Sequence, residues 1–252
     1  MSLNNQYQNI INYCNKSNVA IKINEPMKRH TTFGIGGNAD ILVFPKTIDN
    51  LKFILEHIQK NRLPYQFIGS GSNILVSDNG IKGIVITLKK SFKEIKFLKS
   101  KIYAESGVML GNFVKQLIKN DICGYESLIG VPGTLGGALF MNAGAYGSEI
   151  SNNLISVRTI THNGKIKEYQ HSDLKFSYRK SSFPYNELIV DAYFKKIKGN
   201  KQKILDRKAY SSNQRKEKQP LRFRSAGSIF KNPKDNHPAG YLIEKAGLKG
   251  LK

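Results

Sequence analysis

Two side chains stand out as able to do chemistry by type and setting. Arg179 lies in Phe176-Ser177-Tyr178-Arg179-Lys180-Ser181, and its planar fork of donors suits a carboxylate. Ser228 lies in Ser225-Ala226-Gly227-Ser228-Ile229-Phe230-Lys231-Asn232-Pro233, a small-residue bend that can present a hydroxyl to a ligand. No G-x-S-x-G elbow surrounds Ser228, so it does not read as a hydrolase nucleophile. Taken alone, each also has an ordinary reading, a surface arginine and a turn serine.

Three glycine-rich stretches suggest what these side chains would act on. Gly69-Ser70-Gly71-Ser72-Asn73 directly follows an apolar strand, Tyr65 to Ile68. Successive free amides in such a loop form a concave anion site, and serine and asparagine add donors, a combination that fits a pyrophosphate. It is neither a P-loop nor a dinucleotide fingerprint, and by itself it also reads as a tight turn. The second stretch runs from Gly130-Val131-Pro132-Gly133-Thr134-Leu135-Gly136-Gly137 through Asn142-Ala143-Gly144-Ala145-Tyr146-Gly147, too glycine-dense for a plain helix or strand. Its Val131, Leu135, Leu139, Phe140 and Met141 distinguish it from a flexible linker. The third is Thr31-Thr32-Phe33-Gly34-Ile35-Gly36-Gly37 after His30. Two loops that admit close backbone approach suit one extended ligand, a dinucleotide with its pyrophosphate on one loop and its ring system on the other.

The elements that must position these loops read as α+β. In the first unit Ile41 to Phe44 is a buried strand ended by Pro45, and Thr47 caps a helix marked by Leu51, Ile54, Leu55 and Ile58. Strands at Tyr65–Ile68 and Ile84–Leu88 complete a β-α-β-β order. In the second unit a strand at Ile102–Ala104 precedes a helix with Leu110, Val114, Leu117 and Ile118 on one face. Asn163-Gly164 predicts a hairpin between Leu154–Thr161 and Lys165–Tyr169. Leu188, Val190, Ala192 and Phe194 alternate as one buried strand face. The third unit holds a lysine-rich helix from 201 to 219, stopping at Pro220, and a short helix Ala239–Ala246 with Gly247 as its left-handed cap. Boundaries at 1–88, 89–197 and 198–252 follow.

Composition narrows the class. With 252 residues and 40% hydrophobic content the chain can bury a core, which excludes disordered and fibrous classes. No apolar run approaches the roughly 20 residues that span a bilayer. The N-terminal segment lacks a signal peptide's charged start and apolar middle, so a cytoplasmic location without membrane partner is expected. Cys14 and Cys123 form no disulfide framework or metal cluster, and the five histidines show no metal-ligand pairing. The net charge of +22 raises nucleic acid as a partner, but its lysines are spread along the chain without a recognition motif, so none is expected.

In order, HTTFGIGG, IGSGSNILVSD, GVPGTLGG, NAGAYG, FSYRKSSF, SAGSIFKNP and AGYLIEKAGLKG resemble the blocks of the UDP-N-acetylenolpyruvoylglucosamine reductase family, also called UDP-N-acetylmuramate dehydrogenases, in its short-loop type. The resemblance runs from about Asn24 to Lys252. It implies a two-subdomain FAD-binding region of the vanillyl-alcohol-oxidase (PCMH) type, residues 1–88 and 89–197, followed by an α+β substrate domain, 198–252. FAD would be bound through Gly69, Ser70, Gly71, Ser72, Asn73, Pro132, Gly133, Gly136, Gly137, Asn142, Gly144 and Ala145. NADPH would be the co-substrate, and its hydride would pass through the flavin to the enolpyruvyl group of UDP-N-acetylglucosamine enolpyruvate in peptidoglycan precursor synthesis. Arg179 would hold the carboxylate and Ser228 would protonate the α carbon, with Tyr146, Tyr178, Lys231 and Asn232 near the substrate. The interval between Arg179 and Ser228 is too short for the extra tyrosine-bearing loop of some members. The family also continues beyond AGLKG with a glutamate that acts beside the serine. That comparison predicts an incomplete substrate domain, truncated at Lys252, and a chain that binds FAD but turns over poorly. Another flavin oxidoreductase of the same fold, or a basic nucleic-acid binder without enzymatic activity, is the alternative.

Overall fold

A computed structural model describes residues 3–219, 221–233 and 237–251. The expected helix stop at Pro220 and the chain's last residue, Lys252, lie outside them. Helix α1 (Leu3–Lys16) leads into strand β1 (Ala20–Pro26), then β2 (Asn38–Phe44), α2 (Ile48–Lys60), β3 (Tyr65–Phe67) and β4 (Ile81–Ile86). These strands form one sheet in the order β1-β2-β4-β3, antiparallel at β1–β2 and parallel elsewhere. Next come β5 (Ile95–Phe97), β6 (Lys101–Glu105), α3 (Leu110–Lys119), α4 (Leu135–Phe140), β7 (Gly144–Ala145), β8 (Ser148–Glu149), β9 (Leu154–Thr161), β10 (Ile166–Gln170), β11 (Phe176–Ser177), β12 (Lys180–Ser181) and β13 (Glu187–Lys195). Strands β10-β9-β13-β6-β5 make a second, antiparallel sheet. Helices α5 (Lys201–Lys218) and α6 (Ala239–Lys245) follow. No helix among the described residues is long and apolar enough to cross a membrane.

The apolar run of β2 works on both faces. Ile41 and Val43 pack with Leu51, Ile54 and Leu55 of α2, while Ala39, Leu42 and Phe44 face a smaller core with Met27, Ile68, Val76 and Val85. That smaller core underlies the first and third glycine-rich stretches. Helix α2 starts where expected: the Thr47 hydroxyl accepts from Asn50 N, and the Asn50 side chain accepts from Thr47 N. The Asn163-Gly164 turn joins β9 to β10, and Gly247 takes a φ of +71° after α6.

Helix α1 and strand β1 stand outside the elements expected from the sequence, as do α4 and the short strands β5, β7, β8, β11 and β12, and β13 departs from its expected single face. Helix α1 buries Tyr7, Ile10, Ile11 and Cys14, whose helical spacing was legible but diluted by seven polar neighbours of the Asn and Gln type. Burial pushes the Cys14 thiol up to about 11, so it stays protonated and unreactive. Strand β1 escaped notice because only one of its seven residues is buried. The four alternating residues of β13 do not share one face. A register shift between Ile189 and Asp191 sends Val190 into the core of the first sheet, while Ala192 and Phe194 face the core of the second. An inserted residue inverts the alternation beyond it, and no residue type announces it.

A buried polar chain braces the third glycine-rich stretch. Glu25 Oε1 accepts from Lys22 Nζ at 2.6 Å and from His30 Nε2 at 2.8 Å, while Lys89 Nζ lies 3.1 Å from His30 Nδ1. An ammonium only donates and an ionised carboxylate only accepts, so His30 must be the neutral tautomer protonated at Nε2. Burial holds its pKa below the ordinary histidine value, and the Lys22 and His30 hydrogen bonds hold Glu25 below the usual carboxylate range.

Both shifts are depressions, so each contributes stability above its unfolded value, about 6.5 for His and about 4.3 for Glu, and loses it as pH falls. The urea midpoint is expected to drop as pH is lowered from about 7.5 to about 5.5, and His30→Gln should flatten that drop; equal slopes in both proteins would count against it. In the second core Phe113 is fully buried, with ring centroids 5.0 Å from Phe194 and 5.7 Å from Tyr125. Phe113→Ala should cost about 3–5 kcal/mol in a urea titration.

Candidate active site

The first and second glycine-rich stretches meet. Ser72 Oγ donates to the Pro132 carbonyl at 3.3 Å, and a β-carbon on Gly69 would lie 2.6 Å from Thr134 Oγ1 and 3.9 Å from Gly137 Cα. On its other side the loop lies against the third stretch, where Thr32 N donates to the Gly71 carbonyl at 3.0 Å. Gly71 has a φ of +77°, and a β-carbon there would strike the His30 carbonyl. The Gly69 carbonyl is held by Thr87 Oγ1 at 3.0 Å. Among the described residues, none of the N–H groups of Ser70, Gly71, Ser72 and Asn73 donates to a protein acceptor. A backbone so tightly fixed with its donors unspent is a ready cradle for an anion.

The second stretch is not wholly irregular, as its glycine content suggested. Thr134 caps α4, accepting from Gly137 N at 3.4 Å, and Gly136 N donates to the Ser106 carbonyl at 2.9 Å. Gly136 and Gly137 therefore stand in the first turn of a short helix, with no side chain between it and its neighbours. Beyond α4, Gly144–Ala145 pairs with Ser148–Glu149, and Tyr146 and Gly147, both at positive φ (48° and 81°), form the hairpin tip.

Arg179 stands at this end of α4. It occupies the turn between β11 and β12 with a φ of +56°, its guanidinium carbon 5.0 Å from the Tyr178 ring centroid. Its Nη1 lies 3.4 Å from where a Gly144 β-carbon would be. Among the described residues it forms no salt bridge. Asn142 is fully buried, and its amide reaches Glu149, Ser177 and Ser151.

The Ser225–Gly227 bend approaches the first loop instead. Thr32 Oγ1 donates to the Ser225 carbonyl at 2.7 Å, and a Gly227 β-carbon would lie 4.0 Å from Asn73 Oδ1. Ser228, Lys231 and Asn232 are exposed, and Asn232 Oδ1 accepts from Ala239 N at 3.1 Å, at the start of α6. No hydrogen bond or ion pair joins these three to Arg179 among the described residues. The structure thus gathers the first two glycine loops around α4 and Arg179 near Gly144, and brings Gly227, the residue before Ser228, near Asn73.

Three further residues come to the site without having been singled out. Glu149 follows the NAGAYG motif and pairs with Asn142. Tyr210 of α5 meets Tyr146 edge-on with centroids 6.2 Å apart. Arg215 lies against Gly130, where a β-carbon would be 2.6 Å from its Cδ, and burial lowers its pKa. In the lysine-rich run of α5 nothing marks Arg215 from the neighbouring cations, and Tyr210 stands there as an isolated aromatic.

Comparison with known proteins fits this arrangement. A family profile described as "FAD binding domain" matches residues 39–170, and one described as "UDP-N-acetylenolpyruvoylglucosamine reductase, C-terminal domain" matches 219–252. The UDP-N-acetylenolpyruvoylglucosamine reductase of Clostridioides difficile (strain 630) is 43% identical over 252 residues, which is 99% of this chain and 82% of that one. The crystal structure of UDP-N-acetylenolpyruvylglucosamine reductase from Thermus caldophilus superposes with a TM-score of 0.79 at 34% identity, covering 93% of this chain and 82% of that one. Phl p 4.0202, a glucose dehydrogenase, shares the fold alone, with a TM-score of 0.52 at 11% identity over 72% of this chain and 42% of that one. The α+β fold of a flavin-binding oxidoreductase and the identity across nearly the whole chain agree, and the chain belongs to the UDP-N-acetylenolpyruvoylglucosamine reductase family.

Proposed function

We infer that this chain reduces UDP-N-acetylglucosamine enolpyruvate to UDP-N-acetylmuramate, with FAD as bound cofactor and NADPH as reductant, in peptidoglycan precursor synthesis. The observation that carries the reading is a pair of unsatisfied sites at the two ends of one short helix. Among the described residues, four loop amides at one end lack protein acceptors and an arginine at the other lacks a carboxylate partner. A pyrophosphate suits the first and the enolpyruvyl carboxylate the second.

FAD, when bound, supplies the hydride relay between NADPH and the β carbon of the enolpyruvyl double bond. Ser70 to Asn73 would hold its pyrophosphate, with Gly69, Pro132, Gly133, Gly136, Gly137, Gly144 and Ala145 leaving room for close approach. Asn142 supports this region from within, its amide being engaged by protein groups. As hydride reaches the β carbon, negative charge grows at the α carbon and spreads into the carboxylate. The Arg179 guanidinium, desolvated by the substrate, stabilises that charge. Ser228 gives its proton to the α carbon, completing addition of one hydride and one proton across the double bond. Tyr146 and Tyr178 border the carboxylate end, and Lys231 and Asn232 serve the sugar nucleotide.

Residues 1–88 and 89–197 would form the two halves of the flavin region and 198–252 the substrate-facing unit. Two free thiols suit a reducing compartment, and the cytoplasm is the proposed location.

Two substitutions test the assignment. Gly71→Ala forces a β-carbon into a left-handed position against the His30 carbonyl, a strain of about 1–3 kcal/mol, so FAD affinity by flavin titration should fall roughly 10- to 100-fold. Ser228→Ala should leave reduction of the flavin by NADPH unchanged in rapid mixing. Its reoxidation by the UDP-enolpyruvyl sugar should slow by about a hundredfold or more, because only that half needs the proton. Equal losses in both halves would make Ser228 structural.

A further inference from the structure

We propose that Asn142, locked by Glu149, is a positioning residue that sets the Arg179 guanidinium for the substrate carboxylate. The proposal rests on the carboxylate-holding role of Arg179 given above.

Asn142 is fully buried with a φ of +44°, and its side chain has no donor to spare. Its Nδ2 donates to Glu149 Oε2 at 2.6 Å and to the Ser177 carbonyl at 3.0 Å, while its Oδ1 accepts from Ser151 Oγ at 2.7 Å. An amide nitrogen carries two hydrogens, and both are spent inside the protein. That rules Asn142 out as a side-chain donor to any ligand and leaves it one task, joining what it bonds.

What it joins is the turn that carries Arg179. Ser177 is the last residue of β11, two before Arg179, and the hairpin is only two residues deep on each side. Such a hairpin is marginal alone. A second tether, Ser181 Oγ to the Phe140 carbonyl, fixes the other strand to the end of α4. Arg179 itself sits in the left-handed region, which a non-glycine residue keeps only where its surroundings impose it. The Asn142 bond anchors β11 at Ser177, two residues before Arg179, beside the pairing of Ser177 with Lys180.

Glu149 completes the device. Its carboxyl Oε2 accepts a short bond that pins the Asn142 amide in the orientation facing Ser177. Its Cγ lies 3.0 Å from where a Gly144 β-carbon would be, on the spot that Arg179 Nη1 approaches to 3.4 Å. The absent Gly144 side chain thus leaves a spot that Glu149, the Ser148 carbonyl and Arg179 all approach, with no salt bridge between Glu149 and Arg179. Glu149 spends Oε2 on Asn142, and the guanidinium stays available.

A double-mutant cycle tests this on the flavin-loaded chain, using Asn142→Gly, which tolerates positive φ, and Arg179→Ala. The readouts are the Kd for the UDP-enolpyruvyl sugar from flavin spectral titration, the Kd for FAD, and the rate of flavin reoxidation by that sugar. Asn142→Gly is expected to weaken sugar binding about tenfold and slow reoxidation by about 10- to 100-fold, with FAD affinity within about twofold. In the Arg179→Ala background Asn142→Gly should add nothing, since it acts through the guanidinium. Full additivity, or a loss of FAD affinity matching the loss of sugar affinity, would overturn the positioning role. Arg179→Ala leaving sugar affinity intact would instead overturn the carboxylate-holding role. Should Asn142→Gly fail to fold, judged by circular dichroism against the parent chain, Glu149→Ala at its half-exposed site takes its place in the cycle, judged by the same criteria.

Discussion

The backbone of Gly71 and the carbonyl of His30 lie closer than any side chain would permit, and much of the site depends on that contact. It presses the Gly69–Asn73 loop onto the third glycine-rich stretch, with Thr32 N closing a hydrogen bond to the Gly71 carbonyl. From there the arrangement propagates outward. Gly69 admits the Thr134 hydroxyl that caps α4, and Ser72 reaches Pro132. Thr32 also takes hold of Ser225, so the bend that carries Ser228 is referred to the same loop. One backbone-to-backbone approach therefore orders donors from three separated segments.

Helix α4 acts as a short spacer between two chemistries. Its start stands against the loop whose amides would meet a pyrophosphate, and its end holds, through Phe140 and Asn142, the hairpin that displays Arg179. A helix of six residues is rigid over roughly 9 Å at about 1.5 Å per residue. The glycine-serine loop and the Arg179 guanidinium are thus related by a nearly fixed length. Neither end could shift alone without breaking the cap at Thr134 or the bonds at Asn142. Behind the loop the Lys22–Glu25–His30–Lys89 chain keeps the buried Glu25 and His30 partnered, so the approach at Gly71 is not loosened by an uncompensated group there.

What the chain of amino acids determined by itself was the local chemistry. The apolar run of β2, the Thr47 cap, the Asn163-Gly164 turn and the glycine-serine loop after β3 each follow from short-range rules of packing, capping and turn geometry, which need no knowledge of distant neighbours. The turn at Ser70 to Asn73 that leaves its amides without protein acceptors follows from the same short-range rules. Blocks in order along the chain carried the likeness to a reductase family, including Arg179 and Ser228. Only the tertiary structure decided the rest, because those features rest on partners far apart in sequence. The bulge in β13 that divides Val190 from Ala192 is set by pairing with β9. The engagement of the Asn142 amide by Glu149, Ser151 and Ser177, the approach of Arg215 to Gly130, and the reach of Thr32 to Ser225 across 193 positions arise where packed elements converge. A hydrogen bond leaves no mark on the sequence of either partner beyond a donor or acceptor type, and donors and acceptors are everywhere in this chain; packing alone selects which of them meet.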